Sequence, residues 1–181
     1  MITYISLLRG INVSGQKIIK MNILKEMFES LHFENVKTYI QSGNIVFQYK
    51  KSENNDLVIK ISNQIQKYFG FEVPVFVLKT DELKHIVWNN PYKDDKTKDI
   101  SFLHVTFLSS EPEQINFESI NKVKSQGEEF ELIDRAVYLY CPNGYGRTKL
   151  TNTFLEHKLK TGATTRNWKT TMELLRIADN S

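Results

Sequence analysis

Hydrogen-bond donors and cations recur beside glycines at three places in this chain, and each place is a candidate for holding an anion. The first joins Arg9-Gly10-Ile11-Asn12-Val13-Ser14-Gly15 to the turn Gln41-Ser42-Gly43-Asn44. A glycine loop can turn backbone N–H groups toward an anion, and an arginine can grip carboxylate or phosphate through two parallel hydrogen bonds. No Gly-Lys-Ser/Thr follows Gly15, so this is not a nucleotide phosphate loop. The second place is Asn143-Gly144-Tyr145-Gly146-Arg147-Thr148-Lys149, just before a helix start. Cations there oppose the helix dipole, so stability alone does not account for them. The third is Ala163-Thr164-Thr165-Arg166-Asn167-Trp168-Lys169-Thr170, where Arg166 and Lys169 flank another helix start. The candidate contacts are Arg9, Asn12, Gln41, Ser42, Asn44, Arg147, Lys149 and Arg166.

Each place also has an architectural explanation. Arg9 can pair with an acid while its glycines only permit tight turns. Residues 143–149 can be a solvated turn in which Thr148 caps the helix. Arg166 can pair with Glu173, and the spacing of Trp168 to Met172 suits a core position.

Patterns for catalysis are missing. His32, His85, His104 and His157 are dispersed and fit no metal spacing, so neither zinc nor another cofactor is expected. There is no Gly-x-Ser-x-Gly elbow. Glu128, Glu129 and Glu131 read as alternation along a strand edge rather than as an acid/base pair. Cys141, the one cysteine, follows the apolar run 137–140 and reads as a buried, inert thiol.

The elements that must position these residues follow from periodicity. Residues 2–8 form a strand, and Ile23, Leu24, Met27, Phe28 and Leu31 mark a helix over 22–31 with Asn22 as its cap. Runs 36–41 and 44–49 around Ser42-Gly43 are hairpin grammar. A second helix, lined by Leu57, Ile61, Ile65, Tyr68 and Phe69, closes at Gly70, and a strand follows over 73–79. The order β-α-β-β-α-β is the ferredoxin-like plan, an antiparallel sheet with helices on one face. In it the loop after strand one and the turn between strands two and three share a sheet end, so Arg9 and Asn12 should sit near Gln41, Ser42 and Asn44.

A short helix over 80–88 and a polar linker ending at residue 99 then separate two copies of the plan. The second has a strand over 101–108, a helix over 113–124, a hairpin of 129–133 with 136–141 and a helix over 150–159. No closing strand is visible in it; a last helix over 168–178 with Trp168, Met172 and Leu175 inward stands in its place. The expected fold class is therefore α+β with two ferredoxin-like halves, the second lacking its last strand and ending in extra helices. The expected divisions are 1–80, 81–99 and 100–181.

The totals fit that plan. The 181 residues suffice for two small cores, and 40 % hydrophobic with 25 % charged residues describes an ordinary globular chain. A net charge of +3, with 24 Lys and Arg among 21 Asp and Glu, falls short of a dedicated nucleic-acid binder. An RNA-recognition reading places Tyr4 suitably on strand one, but strand three lacks the aromatics such domains stack on bases. No window is apolar enough to span a bilayer and no leader is visible, so the cytoplasm is the expected compartment.

Leu7-Leu8-Arg9-Gly10-Ile11-Asn12-Val13, Thr38-Tyr39-Ile40-Gln41-Ser42-Gly43-Asn44-Ile45-Val46-Phe47 and Ala163-Thr164-Thr165-Arg166-Asn167-Trp168-Lys169-Thr170, with Gly146-Arg147-Thr148-Lys149-Leu150, together resemble a bacterial family. It is the domain of unknown function numbered 1697, and the resemblance spans essentially the whole chain. It implies a small cytoplasmic protein with two related α+β halves, and it brings no activity, substrate or catalytic residue. The functional expectation rests on the residues: binding of a small phosphate-bearing anion through the glycine and arginine loops. An enzyme acting on a nucleotide or phosphate ester, and a structural or protein-interaction module, are the alternatives.

Overall fold

In the computed structural model, which describes residues 1–113 and 115–181, one arrangement of strands and helices occurs twice. The first copy runs β1 (Ile2–Leu8), α1 (Met21–Ser30), β2 (Glu34–Tyr39), β3 (Asn44–Tyr49), α2 (Asn54–Phe69), β4 (Val75–Lys79) and α3 (Thr80–Trp88). The second runs β5 (Leu103–Leu108), α4 (Phe117–Asn121), β6 (Glu129–Ile133), β7 (Ala136–Tyr140), α5 (Asn152–Leu159), β8 (Ala163–Asn167) and α6 (Trp168–Asp179). The sheets are ordered β2-β3-β1-β4 and β6-β7-β5-β8, with every neighbouring pair antiparallel. Both are ferredoxin-like. The chain divides into two compact units, Met1–His85 with Glu173–Ser181, and Ile86–Met172.

In the first unit the apolar stripes of α1 (Leu24, Met27, Phe28) and α2 (Leu57, Ile61, Ile65) cover Tyr4, Leu8, Ile45, Phe47, Val75 and Val77 of the sheet. Tyr4 therefore lies in the core and is no base-stacking platform. Its ring stacks on Phe47 with centroids 5.6 Å apart. Its hydroxyl donates to the Ser52 carbonyl at 3.1 Å and accepts from the Ser52 N–H at 2.9 Å, which fixes the approach to α2. The expected cap Asn22 lies inside α1, and Lys20 holds the cap position without a side-chain bond. The stop at Gly70 is as expected: its φ of 79° is left-handed, and its N–H bonds to Gln66 as α2 ends.

In the second unit Leu108, Val137, Leu139, Cys141 and Ala163 pack under Leu150, Leu155 and Leu159. The missing closing strand is corrected here. β8 pairs with β5 from His104↔Asn167 to Leu108↔Ala163. Its sequence hid it because Thr164, Thr165 and Arg166 show no apolar alternation, yet Thr164 and Arg166 are buried. Hydrogen bonds do the work that apolar contacts do elsewhere: Thr165 Oγ1 lies 2.7 Å from Thr106 Oγ1 and donates to Asn152 Oδ1 at 2.6 Å.

The helix expected over 113–124 shortens to α4, capped by Asn116, whose side chain accepts from the Ser119 N–H at 2.9 Å. Ile120 is its one buried residue, too little to extend it. Gln114, inside the expected span, lies outside the described residues. In α6 the inward positions are Trp168, Leu174, Leu175 and Ala178, whereas Met172, expected inward, is 41 % exposed because it lies just past Trp168 at the margin of the buried face, which is centred on Thr171, Leu174 and Ala178.

The polar stretch before β5 is packed. Asn90 and Tyr92 are buried, and Lys98 lies over the rings of Tyr92 and Tyr140 while its ammonium meets Glu129 at 2.8 Å. The Tyr138 hydroxyl donates to the Ile86 carbonyl at 2.8 Å.

Candidate functional site

In the first unit β1 ends where the β2–β3 turn and the start of β4 meet it. The Leu8 N–H donates to the Gly43 carbonyl at 2.8 Å and the Arg9 N–H to the Pro74 carbonyl at 3.0 Å. Beyond them the chain makes a small hairpin in which Val13 bridges Gln16 and the Asn12 N–H reaches the Lys17 carbonyl at 3.2 Å. The side chain of Asn12 ties this hairpin down. Its Nδ2 donates to the carbonyls of Ile19 and Gln41, both at 2.9 Å, and its Oδ1 accepts from the Ile19 N–H at 2.8 Å.

The connectivity-derived proximity of the two loops is thus present, and the roles divide. Asn44 is fully buried and its amide donates to the Tyr39 carbonyl at 3.0 Å and to Ser42 Oγ at 2.9 Å. Asn12 and Asn44 hold backbone. Arg9 and Ser42 are half-buried and Gln41 is exposed. Gly43 cannot be replaced without strain: its φ is +77°, and a Cβ there would stand 2.7 Å from Leu8 Cβ.

In the second unit β7 and β8 both run antiparallel to β5, so their carboxyl ends and the start of β5 share one edge. Residues 143–149, His104, Arg166 and Asn167 gather there. The turn after β7 starts with the Cys141 N–H bonded to Phe102 and the Gly144 N–H bonded to Cys141, at 3.0 and 2.9 Å. A single 3-10 turn, Tyr145–Arg147, follows. The Tyr145 ring stacks on His104 with centroids 4.7 Å apart and planes 20° from parallel. Burial pulls the His104 imidazole below its ordinary value, against a hydrogen bond with the Phe102 carbonyl, so it is neutral near pH 7.

Arg147 and Lys149 are exposed on this turn, while Thr148 is buried and bonds to the Leu150 N–H at 3.1 Å. Thr151, rather than the expected Thr148, caps α5, accepting from the Phe154 N–H at 3.2 Å, because the helix starts two residues later than its periodicity suggests. Arg166 is only 8 % exposed. Its Nη1 donates to Thr164 Oγ1 at 3.1 Å and to the Thr165 carbonyl at 3.0 Å. Burial pulls the guanidinium down to about 10, and Tyr145 opposes that shift. The Glu173 carboxylate, offered above as the partner of Arg166, is gripped by Arg176 at 2.6 and 2.9 Å. Asn167 caps α6, accepting from the Thr170 N–H at 2.8 Å.

Two features escaped the sequence. The Tyr145–His104 stack joins residues 41 apart in the chain. Glu128 does not alternate on an exposed edge: it is 3 % exposed, its Oε2 accepts from the Ser125 N–H at 2.8 Å, and its Oε1 is buried without a partner among the described residues. Cys141 is buried as expected, and burial first, then Glu128, push its thiol up to about 11. No group of three or more His, Cys, Asp or Glu among the described residues could hold a metal ion. A cavity of about 420 Å³ beside Glu111 and Lys160 and one of about 310 Å³ beside Gln66 and Pro74 include none of the eight candidates.

Chemically, the second unit's edge offers a buried guanidinium, two exposed cations and hydroxyl and amide groups. Among the described residues there, no hydrogen bond pairs a nucleophile with a histidine or carboxylate base. Donors and cations of this kind complement the charge and acceptor oxygens of an anion.

The repeated strand order defines a tandem α+β protein made of two ferredoxin-like halves. The chain belongs to the family described as Protein of unknown function (DUF1697), whose model matches residues 1–138. Those residues include the first two motifs above; the one at 163–170 lies beyond them. None of the curated proteins matches. Among solved structures, the conserved bacterial protein SP0830 from Streptococcus pneumoniae is similar in fold, with a TM-score of 0.72 at 22 % identity over 98 % of each chain. Among the described residues no helix is long and apolar enough to cross a membrane.

Proposed function

We propose that this protein binds a small phosphate-bearing anion at the edge of its second sheet, where Arg166 lies one residue before the end of β8, at the sheet end that also carries the turn with Arg147 and Lys149. The observation behind this reading is the burial of Arg166 at an edge that also presents two exposed cations. Burying a guanidinium opposes folding by desolvation, and a position chosen for stability alone would take an apolar side chain. The exposed pair would draw the anion in, and Arg166 would fix its orientation. Arg9, Gln41 and Ser42 extend the reading to the first unit as a separate set of donors, with Asn12 and Asn44 as their frame. A cytoplasmic setting fits the single buried thiol.

The test is a thermal-shift screen of the purified protein against nucleotides, sugar phosphates and phosphorylated coenzymes. A ligand at 100 times its dissociation constant stabilises the fold by about 2.7 kcal/mol, which raises the melting temperature visibly. The expected hit disappears in the Arg147→Glu/Lys149→Glu variant, whose own melting point stays near that of the parent. A hit that survives this charge reversal, or a flat screen, rejects the reading.

A further inference from the structure

The first unit displays three aliphatic side chains at one sheet end, and the backbone beneath them is strained to do so. Val13 is 58 % exposed, Ile18 66 % and Ile40 49 %. Val13 and Ile18 belong to the loop after β1, Ile40 to the turn after β2, and the bond from Asn12 Nδ2 to the Gln41 carbonyl at 2.9 Å joins loop to turn.

Ile40 has a φ of 48°, a left-handed conformation that β-branched residues rarely adopt. Glycine or asparagine would fit that turn position at lower conformational cost, and neither would put a sec-butyl group in water. Asn12, Ser14 and Lys17 are left-handed as well, with φ of 55°, 51° and 46°. Strain of this kind persists only where the surroundings enforce it, and here Asn12 supplies three hydrogen bonds that do. Stability therefore explains neither the exposed aliphatics nor the conformations that present them.

Charge supplies the character of the partner. Arg9, Lys17 and Lys20 stand in the same loop, and residues 1–25 and 35–52 contain no aspartate or glutamate. Glu72, before β4, is exposed, and its main-chain carbonyl accepts from Lys17 Nζ at 2.7 Å. Exposed aliphatic side chains on two joined loops that also carry cations complement a polypeptide with Leu, Ile or Val among Asp and Glu. It is poorly suited to single-stranded nucleic acid, which needs aromatic faces to stack on, and Tyr39, the aromatic of this turn, is half-buried.

We propose that the strained loops bearing Val13, Ile18 and Ile40 form a docking surface for an acidic, aliphatic-bearing protein segment. This goes beyond the anion site of the second unit and does not depend on it.

Nuclear magnetic resonance on the ¹⁵N-labelled full-length chain tests it. The probe is a pool of 12-residue peptides randomised among Asp, Glu, Leu, Ile and Val. A matched pool with Asn and Gln for the acids, and a uridine 12-mer, serve as controls. The expected result is amide shifts from the acidic pool confined to residues 9–20 and 39–43, at least tenfold weaker with the neutral pool and with added salt. The informative variant is Ile40→Asn, which relieves strain: it should melt at a higher temperature than the parent and bind the acidic pool at least tenfold more weakly. A Val13→Ser/Ile18→Ser variant should lose binding with its melting temperature unchanged. No shifts in these loops, equal shifts from the neutral pool, stronger binding of the uridine 12-mer, or undiminished binding by Ile40→Asn would each overturn the proposal.

Discussion

The side-chain amide of Asn12 donates to the main-chain carbonyl of Gln41 at 2.9 Å, across 29 residues of sequence. With two further bonds to Ile19, this one side chain sets the position of the β1–α1 loop against the β2–β3 turn. Replacing Asn12 by Ala removes all three bonds and leaves a residue poorly suited to its φ of 55°. The expected loss is about 2–3 kcal/mol in urea denaturation, at roughly 1 kcal/mol per bond. Asn12→Asp should be worse, since a carboxylate would face two carbonyl oxygens. A loss under about 0.5 kcal/mol for Asn12→Ala would show the loop to be held by other contacts.

Gly43 and Gly10 separate two costs that are usually merged. Both are left-handed, with φ of +77° and +73°, but a Cβ at Gly10 meets nothing within 4 Å, whereas at Gly43 it collides with Leu8 and Ile11. Gly10→Ala should cost about 1 kcal/mol, the conformational share. Gly43→Ala should cost at least about 1–3 kcal/mol more, because Leu8 must move from a packed core. Equal melting points for the two variants would contradict the close approach of β1 to the turn.

Tyr4→Phe keeps the stack on Phe47 and removes both bonds to Ser52. Without them the Ser52 peptide groups lose a fixed partner at the entry to α2, and the expected loss is about 1–2 kcal/mol. Hydrogen exchange should quicken at Ser52 and the first turn of α2 while β1 stays protected. Uniform quickening through the unit would mean that the hydroxyl supports the whole core instead.

Cys141 should resist thiol reagents at pH 8 in the native protein and react on unfolding, which a colorimetric assay with and without urea reads directly. Its folded-state value of about 11 lies above the ordinary 9.0, so the native state favours the neutral thiol. This contribution to stability is whole below pH 9 and declines as pH rises toward 11, by about 1.4 kcal/mol per unit within that window. The stability difference between the parent and Cys141→Ala should narrow over that range. A difference independent of pH would place the thiol nearer solvent.

Much of this architecture was legible because periodicity reports burial. The stripes Leu24, Met27, Phe28 and Leu57, Ile61, Ile65 announce two helices over one sheet, and the hairpin signals at 42–43 and 134–135 give the strand order its direction. Connectivity alone then placed Asn12 near Gln41. β8 escaped because Thr164, Thr165 and Arg166 are polar residues whose burial is supported by hydrogen bonds, and no local pattern reveals a hydrogen bond to Thr106, 59 residues away. Glu128 escaped for the same reason: a carboxylate on an alternating strand reads as solvated until the fold covers it.

For the candidate site, the sequence by itself determined which residue types were on offer: arginines, amides and glycines rather than nucleophiles and bases. The tertiary structure decided their division of labour. Asn12 and Asn44 lie within reach of backbone carbonyls, so their amides are spent on the frame, while Arg147 and Lys149 are exposed on the turn after β7. Arg166 is buried within β8, where Thr164 Oγ1 and the Thr165 carbonyl accept from its Nη1. Side-chain roles depend on which polar groups the fold leaves within about 3 Å. That distance is set by packing between segments far apart in sequence, so composition and spacing carry no record of it.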